Sequence, residues 1–565
     1  MKRTLWIIVC CFATQLAMAQ IPKWAEKAKK AVFSVVTYDK DNKIKGTGNG
    51  FYIDNLGTAL SDYSLFEGAN RAVIINADGK QLDVISVNGA NSMYDIIKFN
   101  TLVDKKHTAL TLSTQPAKVG EIVYLLPYST QKAATLQSGR VSAVDSIGNN
   151  SFYYTLEMKT GDKLVSCPIM NSTGQELGMI QKNADNESKE SYAIGAGYGA
   201  ALSISALSMH DVALGKVGIK KALPETEEQA LVFLYMSAEQ MDSDSYRTLL
   251  DDFIRQYPNS YEGYIRRANA YVYSENPANY SLADDDLNKA VEATNQKGEV
   301  CYQIAKTIYS YKVSNNSSNS YEKWNYERAL AFAQEAIKKE EQPLYYQLEG
   351  DLYFALGKYQ DALSSYEKVN KSSIADASSF YSAAKAKQLI EGSDINEVIA
   401  MMDSAIVKLK KPYFSDAAPY FYERAGFLVQ AKKFRDAVKD YNTFHEAISG
   451  NVTALFYYER EQAEMQCRMY KQGLDDINKA VEMEPENIDY LLEKGSVHLR
   501  VNQLDEAIAT FLKVISKDAN NAAAYRMMGY CQALQKKNKD ACGNFAKAKE
   551  LGDTVVDQLI EKYCK

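Results

Sequence analysis

The sequence predicts a two-part protein, an all-β domain followed by an all-α array of helix pairs. Between Lys30 and Ala206, short apolar runs alternate with period two and are separated by glycine, asparagine and aspartate turns, the pattern of packed strands. From about Glu227 the apolar period becomes helical, and from Ala454 to Ile488 to Ala522 similar segments return every 34 residues. A third observation, an apolar leader, predicts where the chain is sent.

The leader is MKRTLWIIVCCFATQLAMA, residues 1–19. Lys2 and Arg3 precede an apolar run ending in Ala17-Met18-Ala19, the small-residue pattern of a signal-peptide cleavage site. The run is too short to span a bilayer, and no later stretch reaches about 18 apolar residues. The expectation is an exported protein, periplasmic, with no transmembrane segment. Val9 stands before Cys10 where a lipid-attachment site would want a small residue, which argues against an anchor there.

The β domain, residues 20–206, contains the runs AVFSVVTY, GFYID, AVIIN, DIIKF, EIVYLLPY, SGRVSAV, FYYTLEM and ELGMIQ. Along it lie Gly48-Asn49-Gly50-Phe51-Tyr52-Ile53-Asp54 with Gly57 behind, then TLQSGRVSA (135–143), NSTGQELG (171–178) and Tyr192-Ala193-Ile194. These motifs in this order resemble the trypsin-like domain of HtrA-type serine proteases, which implies a double β-barrel. The resemblance places the catalytic histidine, aspartate and serine positions at Ser64, Asp95 and Val165.

A serine nucleophile needs an adjacent base and donors for the oxyanion. With serine in the histidine position and valine in the nucleophile position, the expectation is a protease-like domain without protease chemistry, Asp95 remaining as a solvated or hydrogen-bonded relic. The alternative is an active exported serine endopeptidase whose repeats recruit substrate. It requires Ser166 as nucleophile and His107, in a polar stretch that reads as an exposed turn, as base, both away from their aligned places. An HtrA-type chain would continue into a PDZ domain; here a linker, residues 207–226, leads directly to helical periodicity.

The array, residues 227–552, is clearest in PLYYQLEGDLYFALGKYQDALSSYEKVN (343–370), two amphipathic helices broken at Gly357. Units begin at Pro343, Ala418, Ala454, Ile488 and Ala522. A small residue recurs in each helix with an aromatic further along the second, as Gly350/Ala362/Tyr366, Ala425/Ala437/Tyr441, Gly495/Ala507/Phe511 and Gly529/Ala541/Phe545. This resembles the tetratricopeptide repeat (TPR). The unit at Ala454 departs, with Glu461 at the first small position and Gly473 at the second. Looser units occupy residues 227–260, 261–295 and 298–342, the last interrupted by a polar insertion at 314–320, and residues 379–409 form a degenerate one. The total is about nine helix pairs, closed by a capping helix within residues 553–565.

The TPR resemblance implies that first helices line a concave surface. Their inward positions fall on Gln347, Tyr422, Tyr458, Leu492 and Arg526, with Asp351, Gln462 and Tyr530 one turn further. The expected partners are other proteins or peptides, lying along Tyr422, Tyr458 and Arg526. The lysine-and-asparagine clamp by which some TPR proteins hold a terminal carboxylate is not evident. Sixty-five basic residues against 71 acidic give a net charge of −6, which argues against nucleic acid. No metal-ligand cluster or phosphate-binding glycine loop is visible, so no metal or cofactor is expected. Six cysteines remain beyond the leader without a framework spacing; Cys531 and Cys542 lie at mirrored places across one turn and form the possible disulfide.

Overall fold

The computed structural model describes residues 22–103, 107–131, 133–148, 151–185, 187–315 and 320–564. The leader, residues 1–19, lies outside the described residues. Two compact units are present, Met1–Thr294 and Asn295–Lys565.

The first unit contains two closed antiparallel barrels. Strands β1 (Val32–Tyr38), β2 (Ile44–Tyr52), β3 (Thr58–Ser61), β4 (Arg71–Ile75), β5 (Gln81–Asn91) and β6 (Ile96–Thr101) close in the order 1-2-3-6-5-4. Strands β7 (Ile122–Leu125), β8 (Gln137–Ser146), β9 (Phe152–Glu157), β10 (Pro168–Met170), β11 (Glu176–Ile180) and β12 (Glu190–Gly195) close in the order 7-8-9-12-11-10, the same permutation. Phe33, Phe51, Leu60, Phe66, Ile74 and Phe99 fill the first barrel; Val123, Leu125, Tyr154, Leu156, Ile169 and Ile180 fill the second. Each such side chain contributes about 1.5–3 kcal/mol on leaving water.

Four strands lie outside the eight period-2 runs: β12, marked only by Tyr192-Ala193-Ile194, and three others for local reasons. β3 is four residues long and β10 three. In β5, bulges at Val84/Ser86 and Val87/Gly89 shift the alternation twice.

Short helices α1 (Ala25–Ala28), α2 (Tyr63–Phe66), α3 (Ala196–Ala201) and α4 (Val212–Gly215) decorate the barrels. The stretch expected to be a linker is part of the packed unit. Its Leu214, Val217, Ile219 and Leu223 join the first barrel's core, and Val87 pairs in parallel with Lys221. On the other side of that stretch lie α5 (Glu227–Ser237) and α6 (Ser243–Gln256), whose Phe233, Leu234, Leu250 and Phe253 belong to the same cluster. A further pair, α7 (Tyr261–Tyr273) and α8 (Tyr280–Ala293), completes the unit.

The second unit is all helical. Its pairs are α9 (Lys297–Ser314) with α10 (Tyr326–Lys339), α11 (Pro343–Ala355) with α12 (Tyr359–Asn370), and α13 (Ala377–Gln388) with α14 (Ile395–Val407). Next come α15 (Ala418–Gln430) with α16 (Phe434–Ala447) and α17 (Ala454–Gln466) with α18 (Tyr470–Met483). The series ends with α19 (Ile488–Arg500) and α20 (Leu504–Lys517), α21 (Ala522–Leu534) and α22 (Asn538–Glu550), and the closing helix α23 (Asp557–Tyr563). Among the described residues the chain thus carries two closed six-stranded antiparallel barrels followed in sequence by nine helix pairs.

The small residues act as the period demands. A Cβ on Gly350 would stand 2.5 Å from the Tyr366 ring, and one on Gly495 2.4 Å from Phe511, so these helices touch only because the side chain is missing. The cysteine pairing differs from expectation: Cys542 bonds to Cys564, while Cys531 is a free, buried thiol packed with Phe511 and Met528. Cys531 points into the repeat core and Cys542 toward the closing helix, so mirrored sequence positions do not meet. No described helix is long and apolar enough to cross a membrane.

Candidate functional site

Two groups of side chains were singled out by sequence, one in the cleft between the barrels and one along the first helices. In the cleft, β3 ends at Ser61 and turns into α2, which carries Ser64. The β5–β6 turn brings Asp95 to it, with Asp95 in the left-handed region at φ 44°. Asp95 accepts from the Ser64 amide at 2.6 Å and from its hydroxyl at 2.9 Å. The histidine-position and aspartate-position residues therefore meet, as a closed serine–carboxylate pair.

The nucleophile position comes from the second barrel. Residues Asp162–Leu164 form a 3-10 turn, followed by Val165 and by Ser166 at φ 64°. Val165 offers no hydroxyl, and its carbonyl accepts from Asn49 Nδ2 at 2.8 Å. Of the amides around it, Leu164 donates to Gly161 at 2.9 Å, Val165 to Asp162 at 3.3 Å and Ser166 to Ile180 at 2.8 Å.

Ser166 is fully buried, and its hydroxyl donates to Asp62 Oδ1 at 2.6 Å. Burial pushes the Asp62 carboxyl above the ordinary aspartate range, the nearby Asp95 charge adds to that, and the Ser166 hydrogen bond opposes it. His107 is half-buried rather than in an exposed turn, and its ring packs on Tyr52 at 4.3 Å between centroids. Asp62 and Asn49 are the cleft residues that sequence reasoning passed over. Asn49 sits inside the Gly48–Asp54 motif and Asp62 two residues before Ser64, but neither occupies a position at which the family resemblance puts chemistry.

Along the first helices, the predicted row is half-buried. Gln347 donates to Asp351 at 3.1 Å, and the Tyr366 hydroxyl reaches the same carboxylate at 2.9 Å. Burial raises the Asp351 carboxyl, against those two bonds. Tyr422 donates to Glu459 and packs on Phe444, with centroids 4.9 Å apart. Tyr458 lies against Tyr490 at 5.2 Å, and Gln462 donates to Glu461 at 2.7 Å.

Three members are tied more firmly into packing than an open groove wall requires. Leu492 joins the core of the α19–α21 repeats, Arg526 donates to Asp553 at 2.6 Å, and the Tyr530 ring meets Tyr563 at 6.3 Å. The sequence reading missed Tyr381, Glu423, Glu459 and Glu493, which share the row. A recurring Tyr-Glu dipeptide, Tyr422-Glu423 and Tyr458-Glu459, was the available signal. Among the described residues no group of three or more metal-ligating side chains comes together.

No family model matches the sequence. Among curated proteins the chain is similar to "Sperm-associated antigen 1" of Mus musculus, 30% identical over 95 residues, covering 17% of this chain and 10% of that protein. It is also similar to "Hsp70-Hsp90 organizing protein 1" of Glycine max, 21% identical over 281 residues, covering 43% and 48%. "Peptidyl-prolyl cis-trans isomerase FKBP4" of Homo sapiens is 26% identical over 176 residues, covering 30% and 36%. The chain thus spans a tenth to about half the length of these relatives. A solved structure, the active form of the Rv3671c protease of M. tuberculosis, aligns with 36% of this chain and 86% of its own at 17% identity and TM-score 0.28.

Proposed function

We propose that this protein is an exported interaction scaffold whose helical array holds partner polypeptides and whose trypsin-like domain performs no serine-protease chemistry. The observation that carries this reading is the wiring of the cleft. Ser64 is closed onto Asp95, a valine, Val165, stands at the position that the resemblance gives to the nucleophile, and the Val165 amide is spent on Asp162. That leaves the array, with its row of half-buried tyrosine, amide and carboxylate side chains, as the surface suited to recognition. Similarity of part of the array to a protein named as an organizer of Hsp70 and Hsp90 supports the holding role. Export is supported by the leader's charge and cleavage pattern and by the Cys542–Cys564 disulfide.

The test uses the whole mature protein. A fluorophosphonate probe should leave it unlabelled and casein should stay uncut. Labelling that disappears in Ser166→Ala would reinstate the peptidase reading through the Ser166–Asp62 contact. In parallel, envelope proteins retained by the wild type should be retained at least tenfold more weakly by the Tyr422→Ala/Tyr458→Ala double variant, about 1.4 kcal/mol. Equal retention would move the binding surface off the first helices.

A further inference from the structure

Successive first helices repeat one side-chain pair. The fifth residue of α13, α15 and α17 is Tyr381, Tyr422 and Tyr458, and the sixth residue of the next first helix, α15, α17 and α19, is Glu423, Glu459 and Glu493. Burial and then the Glu423 charge raise the Tyr381 hydroxyl, and Tyr422 hydrogen-bonds Glu459. The Tyr458 hydroxyl is raised by burial and then by the Glu493 charge.

The first pair contains a cation of the protein's own: Lys385 Nζ stands 3.0 Å from Glu423 Oε2. Among the described residues Glu459 and Glu493 form no ion pair with lysine or arginine. Behind them Glu461 is fully buried, with Oε1 unpartnered and Oε2 held by Gln462 of the same row. Burial and then the Glu493 charge push its carboxyl up to about 8. Carboxylates beside tyrosine rings, partly withdrawn from water and held in no ion pair, attract ammonium or guanidinium groups.

We propose that the first-helix face of α15, α17 and α19 binds a basic polypeptide segment, whose lysine or arginine side chains take at Glu459 and Glu493 the place that Lys385 takes at Glu423. This rests on the scaffold reading and gives its partner a charge, opposite in sign to the ligand of a lysine-and-asparagine clamp. Packed helices lie about 8–10 Å apart, and an extended chain advances about 3.3 Å per residue. Cations about three residues apart therefore meet successive carboxylates.

The experiment is fluorescence anisotropy of the whole mature protein with three extended Gly-Ser peptides carrying arginine, glutamate or serine at every third position. The arginine peptide should bind at least tenfold tighter than the other two and weaken with added salt. Glu459→Gln/Glu493→Gln should remove that advantage, while Glu482→Gln, on the exposed side of α18, should keep it. Glu459→Lys/Glu493→Lys should turn the preference toward the glutamate peptide. Equal binding of all three, still lost in Tyr422→Ala/Tyr458→Ala, would overturn the basic partner and leave the scaffold reading standing. An arginine preference that survives the glutamine variant also overturns it. Absence of binding by any peptide, together with equal envelope-protein retention by the tyrosine variant, would overturn both.

Discussion

Glu461 occupies a position where other repeats carry glycine or alanine, and the chain makes room by placing Gly473 opposite, with Glu461 Cγ 3.7 Å from where a Cβ would sit. Glu464, one turn on, is also buried. Burial pushes both carboxyls up to about 8, helped at Glu461 by Glu493 and at Glu464 by Asp476. The folded state thus binds these protons more tightly than the unfolded chain does. Their stabilising contribution is whole below about pH 4.5, the ordinary value, and is lost as pH rises through about 8. Thermal melts should show the melting temperature falling between pH 5 and pH 8, and Glu461→Gln should flatten that slope by an amount worth a few kcal/mol at the alkaline end. The departure at Glu461 was visible in the sequence as a broken repeat pattern. Its consequence was not, because the burial of a carboxyl depends on what the facing helix leaves open.

The turn between the two helices of a pair is built alike in the last repeats. Gly357, Lys432, Arg468, Asn502 and Lys536 all have φ between 58° and 72°. The next residue's amide reaches back to the helix, as in Lys433 to Leu428 at 2.8 Å and Lys537 to Gln532 at 2.9 Å. Only the first of these turns has the glycine that the backbone favours. A left-handed non-glycine residue costs about 1–2 kcal/mol, and glycine's extra freedom when unfolded returns about 0.5–1 kcal/mol of that gain. Lys432→Gly, Arg468→Gly and Lys536→Gly should each raise stability by about 0.5 kcal/mol, and Asn502→Gly by less; denaturant titration of each variant measures it.

Neighbouring helices are also clamped by arginine. Arg267 bridges Asp286 and Asp251, Arg424 bridges Asp440 and Asp403, and Arg460 joins Asp476 with Asn442. Arg460→Ala would leave Asp476 buried and unpaired, a loss of about 3–5 kcal/mol in the same titration. Helix starts at Pro343, Ala418, Ala454, Ile488 and Ala522 coincide with the unit starts read from the period, since small residues and breaks record helix packing directly. The arginine clamps left no such trace, because one arginine among 65 basic residues looks like any solvated charge.

At the scale of the whole molecule, the chain passes from one compact unit to the other between Thr294 and Asn295, within the series of helix pairs. A fragment of residues 22–206 lacks Leu214, Val217, Ile219, Phe233 and Phe253, which complete the first barrel's cluster. It should aggregate or melt well below a fragment of residues 22–294 in differential scanning fluorimetry. At the other end, Cys542 and Cys564 close a loop with a separation of 22 residues. Non-reducing peptide mapping should find that pair linked and Cys531 alkylatable only after unfolding. Reduction should cost the last repeat about 3 kcal/mol. The barrel topology was implied by the order of weak motifs, whereas the packing of residues 207–226 was not legible. Its four core residues are spread over an aperiodic stretch rich in glycine and lysine.

The identical strand order of the two barrels makes the cleft a joint between two copies of one design. Ser64, Asp95 and Asp62 come from the first copy, Val165 and Ser166 from the second. Neither barrel fills its interior with these side chains, so a joint of this kind is free to change its residues without asking either copy to refold. What such an exchange alters is the meeting of two surfaces.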